Sequence, residues 1–336
     1  MAIRVNKERV YKTSAALMLL SWSLFFPSGL SAESGALRVA AVQFEVSEER
    51  FFSEGAFRSS VSTLVSEAVA AGSELIIFPE YIGVFLATAP YAAQIRPSET
   101  VRDALQRIRA AAPDSAPNIE PTATAAGPLN LRRLFLDGAP EVSLLMDEVF
   151  GGLAAEHQVH ILAGSYFHRS TGSGGSSRLT NRAVLYGPRG ERAYEQDKVF
   201  LTPFESQLIE LDAGTLSAVD GFSIDGISVG LTICRDTFFD AWDPIHEDRE
   251  VWIDIKADGV AYDEAARRRY YETIPERLEE TDVPYGITAS LVGSFLELFW
   301  EGSTRFVFWD EERLRTLDRS RSSRRQEIVV ETIEEP

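Results

Sequence analysis

The 336-residue chain has one cysteine and four histidines. A lone thiol excludes an internal disulfide, so the fold must rest on its own core. The histidines, His157, His160, His168 and His246, are scattered. None stands in a metal-ligand spacing or a nucleophile motif, and His157 and His160 read as helix-end or core-edge residues. Zinc chemistry and the usual cysteine–histidine pairing are therefore not indicated. Positive charge is also scarce: 33 Lys and Arg face 51 Asp and Glu, a formal net charge of -18. That balance argues against nucleic acid or an anionic membrane as a partner. Beyond the first thirty residues no run is long and apolar enough to span a bilayer, which takes about 20 residues.

The N-terminus is where an apolar run does occur. Arg4, Lys7, Arg9 and Lys12 precede a stretch from Ala15 to Leu30 that is broken by Ser21, Ser23, Pro27 and Ser28. Ser31 and Ala32 supply small residues after it. This is the layout of a secretory signal peptide over residues 1–32. Cleavage and export to the periplasm or the exterior are expected. An uncleaved membrane anchor is the alternative, and its apolar core is short for one. Residues 1–32 carry four basic groups and Glu8, a net of +3, so removal takes the charge from -18 to -21. A chain sent to an oxidising compartment with a single retained thiol draws attention to that thiol.

Residues 33–336 alternate strand and helix patterns. Leu37 to Phe44 reads as a strand, and Ser47 to Ala71 carries apolar residues at helical spacing from Phe57 onward. Glu74 to Phe78 is a short buried strand. Residues 84–139 are less regular and form an expected insertion: Val101 to Ala111 looks helical, while Ala112 to Pro128 is rich in Ala, Pro and Thr. Pro140 to His157 returns to a helix, and Val159 to Phe167 is a strand. Two hairpins follow, turning at Gly187-Pro188-Arg189-Gly190 and at Asp225-Gly226. Val251 to Ile255, Tyr285 to Val292, Thr304 to Trp309 and Glu327 to Ile333 read as further strands. Tyr262 to Glu280 is helical, with a kink or break at Pro275. The sum is one mixed-sheet α/β domain without internal repeats.

Three residues stand where strands end: Glu80, Lys198 and Cys234. Segments leaving strand ends converge at one edge of a sheet. Each residue has an ordinary structural explanation, as a helix cap, a solvated charge or a buried thiol. Their chemistry is nevertheless complementary. A thiol at neutral pH needs a base to react, and a carboxylate in a partly dry pocket supplies one. A lysine stabilises thiolate and oxyanion, and the N–H of Arg235, just after the thiol, is a second oxyanion donor.

Three blocks resemble the nitrilase superfamily, the carbon–nitrogen hydrolases: Glu74-Leu75-Ile76-Ile77-Phe78-Pro79-Glu80-Tyr81, Asp197-Lys198-Val199-Phe200-Leu201-Thr202-Pro203-Phe204-Glu205, and Leu231-Thr232-Ile233-Cys234-Arg235-Asp236. Asn181-Arg182-Ala183 and Leu298-Phe299-Trp300-Glu301-Gly302-Ser303-Thr304 are similar to two further family strands. The resemblance covers residues 37 to 333. It implies a four-layer αββα sandwich, commonly paired into homodimers through one helical layer. It implies Glu80 as general base, Lys198 as charge stabiliser and Cys234 as nucleophile, with a thioester intermediate. Glu205, seven positions after Lys198, is implied to orient the lysine or the substrate. Tyr81 and Arg235 are expected to line the site. No metal and no organic cofactor is implied. The implied substrate is a small molecule with a non-peptide amide-type bond.

The chain departs from the family pattern in three ways. Arg235 stands where true nitrilases usually carry tryptophan, which favours amides over nitriles. Glu80 and Lys198 are 118 positions apart (198 − 80), long for the family, and the excess lies in residues 84–139. Export is unusual for the family. The rival readings are an N-acyltransferase of the same fold, a non-catalytic binding module, and a thiol redox sensor.

Overall fold

The computed structural model describes residues 35–111, 131–172 and 175–334. The expected signal peptide, the Ala/Pro/Thr-rich stretch 112–128 and residues 173–174 lie outside the described residues. The chain divides into residues 1–33 and 34–336, and everything described belongs to the second unit.

Thirteen strands build the sheet structure: β1 Ala36–Val46, β2 Leu75–Ile77, β3 His160–Thr171, β4 Ser177–Tyr186, β5 Arg192–Asp197, β6 Phe222–Ile224, β7 Ile227–Ile233, β8 Val251–Lys256, β9 Tyr285–Phe295, β10 Leu298–Trp300, β11 Arg305–Trp309, β12 Leu314–Arg319 and β13 Glu327–Glu334. The path β5-β4-β3-β2-β1 continues through β9-β8-β7-β6. β13 adds to β1 antiparallel, and β11 adds to β9 antiparallel with β12 outside it. The short β10 pairs antiparallel with the end of β9, so a half of six strands and a half of seven result. They join only where Phe44–Val46 run parallel to Leu291–Gly293.

Strand alternation assigns the layers. Leu37, Val39 and Ala41 of β1 share one core with Ile227, Val229, Leu231 and Ile233 of β7 and with Val251, Ile253 and Ile255 of β8. These are the inner faces of the two halves. Ala40, Val42 and Phe44 point the other way, against Phe57, Val61, Leu64 and Val65 of the helix Glu54–Ala70 and against the helical run from Leu131. Trp252 of β8 and Val307 of β11 pack on Ile274 and Leu278 of the helix Ile274–Thr281. The result is helix, sheet, sheet, helix, the four layers expected. Among the described residues no helix is long and apolar enough to cross a membrane.

The details differ from the sequence reading where local breaks intervene. The stretch from Ser47, helical in spacing from Phe57 onward, holds two helices, because Ser53 leaves the helical region and its hydroxyl caps the second. Helical structure before His157 begins already at Leu131 and contains Pro140. The kinked helix 262–280 is two helices, Glu264–Tyr270 and Ile274–Thr281, with Pro275 in the first turn of the second, where its missing N–H costs nothing. Residues 84–91, the start of the insertion, form a buried 3-10 run: Val84, Phe85, Leu86, Ala87 and Thr88 are all buried.

Candidate active site

β2, β5 and β7 end at Ile77, Asp197 and Ile233, and Glu80, Lys198 and Cys234 follow them. The structure brings these three residues together. Lys198 Nζ donates to Glu80 Oε1 at 2.8 Å and lies 2.9 Å from Glu205 Oε2 and 3.1 Å from its Oε1. Cys234 lines the same cavity as Glu80 and Lys198. The second Glu80 oxygen accepts the Ala257 N–H at 3.1 Å. Glu80, Lys198 and Glu205 are almost fully removed from solvent, while Cys234 is half-buried.

Glu205 is held from every side. Its Oε1 accepts the Tyr81 hydroxyl at 2.7 Å and Asn181 Nδ2 at 3.0 Å. Its Oε2 accepts the Thr202 N–H at 2.8 Å and the Thr202 hydroxyl at 3.0 Å. Asn181 Nδ2 also donates to Glu80 at 2.9 Å, so one amide bridges both carboxylates. Sequence reading placed Asn181 on a family-like strand without giving it a role in the site.

The two glutamates end up with different acidities. Burial pushes Glu80 up to about 7, against the opposing pull of Lys198 and with added repulsion from Glu205. Burial also acts on Glu205, but Lys198, the Thr202 N–H and the Tyr81 hydroxyl outweigh it and hold Glu205 below the usual range. Carboxylates whose environments push them apart can divide the work: one carries a proton and the other stays charged. Burial opposes the charge on Lys198, yet Glu80, Cys234 and Glu205 raise its pKa above that of an ordinary lysine. Burial and then Glu80 raise the Cys234 thiol well above its ordinary value. The thiol is therefore protonated at neutral pH and needs a base within reach.

Cys234 sits at φ 54°, between β7 and the 3-10 turn Cys234–Phe238. A non-glycine residue in this region costs energy and must be held there by its surroundings. Asp254 Oδ1 accepts the Cys234 N–H at 3.0 Å. Asp236 is turned inward and fully buried; it accepts N–H groups from Phe200 at 2.7 Å, Val199 at 3.2 Å and Ile233 at 3.4 Å. It joins the cysteine turn to the lysine loop rather than lining a pocket. Tyr81 also has a positive φ, 66°, and its N–H donates to Ser165 Oγ at 3.0 Å.

A cavity of about 300 Å³ opens on Cys234. Glu80, Tyr81, Lys198 and Thr202 form its polar end, and Phe204, Leu298, Phe299 and Trp300 its apolar walls. Arg235 is not among the lining residues; its guanidinium lies over the Phe239 ring at 5.8 Å. The insertion backs this wall. Phe85 packs against Trp300 and Phe295 with ring centroids 5.6 and 4.6 Å apart. Glu297 at the rim accepts the Val101 N–H, at the start of the helix Val101–Ala111, at 2.8 Å.

The profile of the carbon-nitrogen hydrolase family matches residues 38–242. The chain belongs to that family. Its fold matches solved structures of the nitrilase superfamily at 15–16% identity. A carbon-nitrogen hydrolase from Helicobacter pylori G27 aligns over 89% of each chain with a TM-score of 0.60. The Caenorhabditis elegans NitFhit protein aligns over 90% of this chain and 61% of its own with a TM-score of 0.61. A glutamate-to-glutamine mutant of an amidase from Nesterenkonia sp. AN1, solved with the acetamide moiety of fluoroacetamide covalently added at its active-site cysteine, aligns over 91% of this chain and 94% of its own with a TM-score of 0.58. No curated protein matches the sequence significantly.

Proposed function

We propose that the chain is a cysteine-dependent amidohydrolase with Glu80, Lys198 and Cys234 as its catalytic residues. The observation that carries this reading is the buried cluster in which one lysine touches two glutamates of opposite pKa shift beside a protonated thiol.

Glu80 takes the thiol proton as Cys234 Sγ attacks the amide carbon. The carbonyl π electrons move to oxygen, and Lys198 with the Arg235 N–H holds the oxyanion. That N–H belongs to the first turn of a short helix, which has no intrahelical partner. As the tetrahedral intermediate collapses, the C–N bond breaks and Glu80 returns its proton to the leaving ammonia or amine. A thioester remains. Glu80 then takes a proton from water, hydroxide adds to the thioester, and Cys234 leaves with the proton. Glu205, anchored by Tyr81, Thr202 and Asn181, stays ionised and fixes Lys198. The apolar walls favour an uncharged, apolar acyl group.

Further parts of the proposal are export through a cleaved segment 1–32 and pairing into a homodimer. N-terminal sequencing of the protein from its native host checks the first, and light scattering on the purified chain the second.

The decisive test is an ammonia-release screen over aliphatic and aromatic amides, with fluoroacetamide as a labelling probe. Native protein should release ammonia and gain one acetamide group on Cys234. Cys234→Ala should do neither while keeping its circular dichroism spectrum. Unchanged turnover in that variant would sink the assignment. Added hydroxylamine should divert the thioester to a hydroxamate, and preferential acylation of an added amine would move the chain to the acyltransferases.

A further inference from the structure

Behind the nucleophile, on the outer face of the second sheet half, lies a separate polar cleft. β8 reads Val-Trp-Ile-Asp-Ile-Lys, so Asp254 and Lys256 follow Trp252 on the outer side. The register places Asp254 opposite Thr288 and Lys256 opposite Ser290 on β9, and Thr288 opposite Arg305 on β11. The cleft measures about 30 Å³, room for roughly two water-sized groups. Phe238 and Arg269 line it together with Lys256, Thr288, Ser290 and Arg305. Lys256 and Asp258 face this cleft, whereas Ala257 and Gly259 of the same segment face the Cys234 cavity.

Arg305 is the anomaly. It is 6% exposed, its guanidinium lies 3.9 Å from the Tyr270 ring centroid, and it donates to the Tyr262 hydroxyl. Its Nε has no partner. Among the described residues no carboxylate pairs with it. Asp258, which also lines the cleft, is drawn by Lys256 and Arg269, and the other two nearby acids are engaged. Glu301 pairs with Arg324 at 2.8 Å and accepts the Tyr262 N–H at 2.8 Å. Asp254 holds Lys256 at 3.0 Å and the Cys234 N–H. A buried cation without a counter-ion is strongly unfavourable, and an unpartnered buried donor calls for a missing ion or ligand.

We propose that this cleft binds a small carboxylate between Arg305 and Lys256. A guanidinium fork and an ammonium present convergent donors to two oxygens in a small space. The carboxylate is either a free anion or the end of a longer molecule. Either way it reaches Lys256, whose partner Asp254 also holds the N–H of Cys234.

The test reads binding alone and is independent of any catalytic role for Cys234. The melting temperature of the whole protein is followed against sodium formate, acetate and succinamate, with ionic strength held by a bulky sulfonate. A saturable rise of a few degrees is expected, absent in Arg305→Gln. If that variant does not fold, Lys256→Met, which keeps the aliphatic stem, should weaken binding roughly tenfold or more. Formate or acetate acting at lower concentration than succinamate supports a free anion. The reverse order supports the end of a longer molecule. No saturable rise with any of the three, or an equal rise in the variant, overturns the proposal.

Discussion

The Asp236 carboxylate accepts the Phe200 N–H at 2.7 Å, and this bond joins the two loops on which the site is built. Asp236 is two residues past Cys234, and Phe200 is two past Lys198. The same carboxylate takes the N–H groups of Val199 and Ile233. Asp236→Ala leaves these buried donors without an acceptor. A loss on the order of 3 kcal/mol in denaturant stability is expected, since each buried donor left without an acceptor costs about 1–3 kcal/mol. Turnover should fall at least tenfold, because the lysine loop and the cysteine turn lose their shared anchor. Near-native turnover in Asp236→Ala would show that the loops keep their register without it.

Glu80 sets the pH dependence. Its pKa is raised from 4.5 to about 7 by burial, and the proposed base must be ionised to take the thiol proton. The kcat/KM of amide hydrolysis should therefore rise with pH through about 7 and level off above it. Glu80→Gln should remove both the activity and that limb. Stability follows the opposite sign. The unfolded chain loses this proton near 4.5, while the fold keeps it to about 7. The fold thus binds more protons across that window, and Glu80 contributes less stability as pH rises through it. Denaturant midpoints across the window should show the decline flattened in Glu80→Gln.

Much of this arrangement was legible in the sequence, for a physical reason. Glu80, Lys198 and Cys234 each follow a short apolar strand, and strand ends of one sheet edge converge. The alternation in β1 and the Asp225-Gly226 turn, both with positive φ, likewise announce themselves locally. The supports were harder to see. Asn181, Asp236 and Asp254 act through contacts with residues 20 to 101 positions away, two of them through backbone N–H groups, and no periodicity reports those. A signal did exist: Asp254 and Lys256 are charges on an otherwise apolar strand, which burial permits only when they are paired. The start of the insertion was hard to place because its irregular composition carries no clear period, whereas Phe85 is buried against Phe51, Phe295 and Trp300.

Gly164 shows how closely the segment carrying Glu80, the proposed base, is approached. It sits in β3 at φ +58°, beside a register shift between Leu162 and Ser165. A Cβ there would lie 2.0 Å from the Pro79 carbonyl oxygen, immediately before Glu80. Backbone on both sides leaves nothing flexible to yield. Gly164→Ala should lower stability by more than about 2 kcal/mol, from positive-φ strain plus steric overlap. Whatever folds should bind fluoroacetamide at Cys234 more slowly, because Glu80 is displaced. An alanine variant with native labelling rate would mean that the Pro79–Glu80 segment can shift without consequence.

The insertion's contribution is tested best at Phe85, which stacks behind Trp300 and never touches the catalytic residues. Phe85→Ala empties space on the far side of the cavity wall, and a truncation of this size in a core costs about 3–5 kcal/mol. Phe85→Leu retains most of the volume and should cost less. In both variants Trp300 gains freedom to move away from Cys234. The relation between Glu80, Lys198 and Cys234 is untouched, so kcat for acetamide and the rate of fluoroacetamide labelling should stay near native. Substrates with bulky apolar acyl groups rely on the Trp300 wall for position, and their KM should rise with kcat little changed, the pattern of lost uniform binding. Equal KM changes for acetamide and for a long-chain amide would place the effect of Phe85 in general loosening of the fold rather than in the acyl wall.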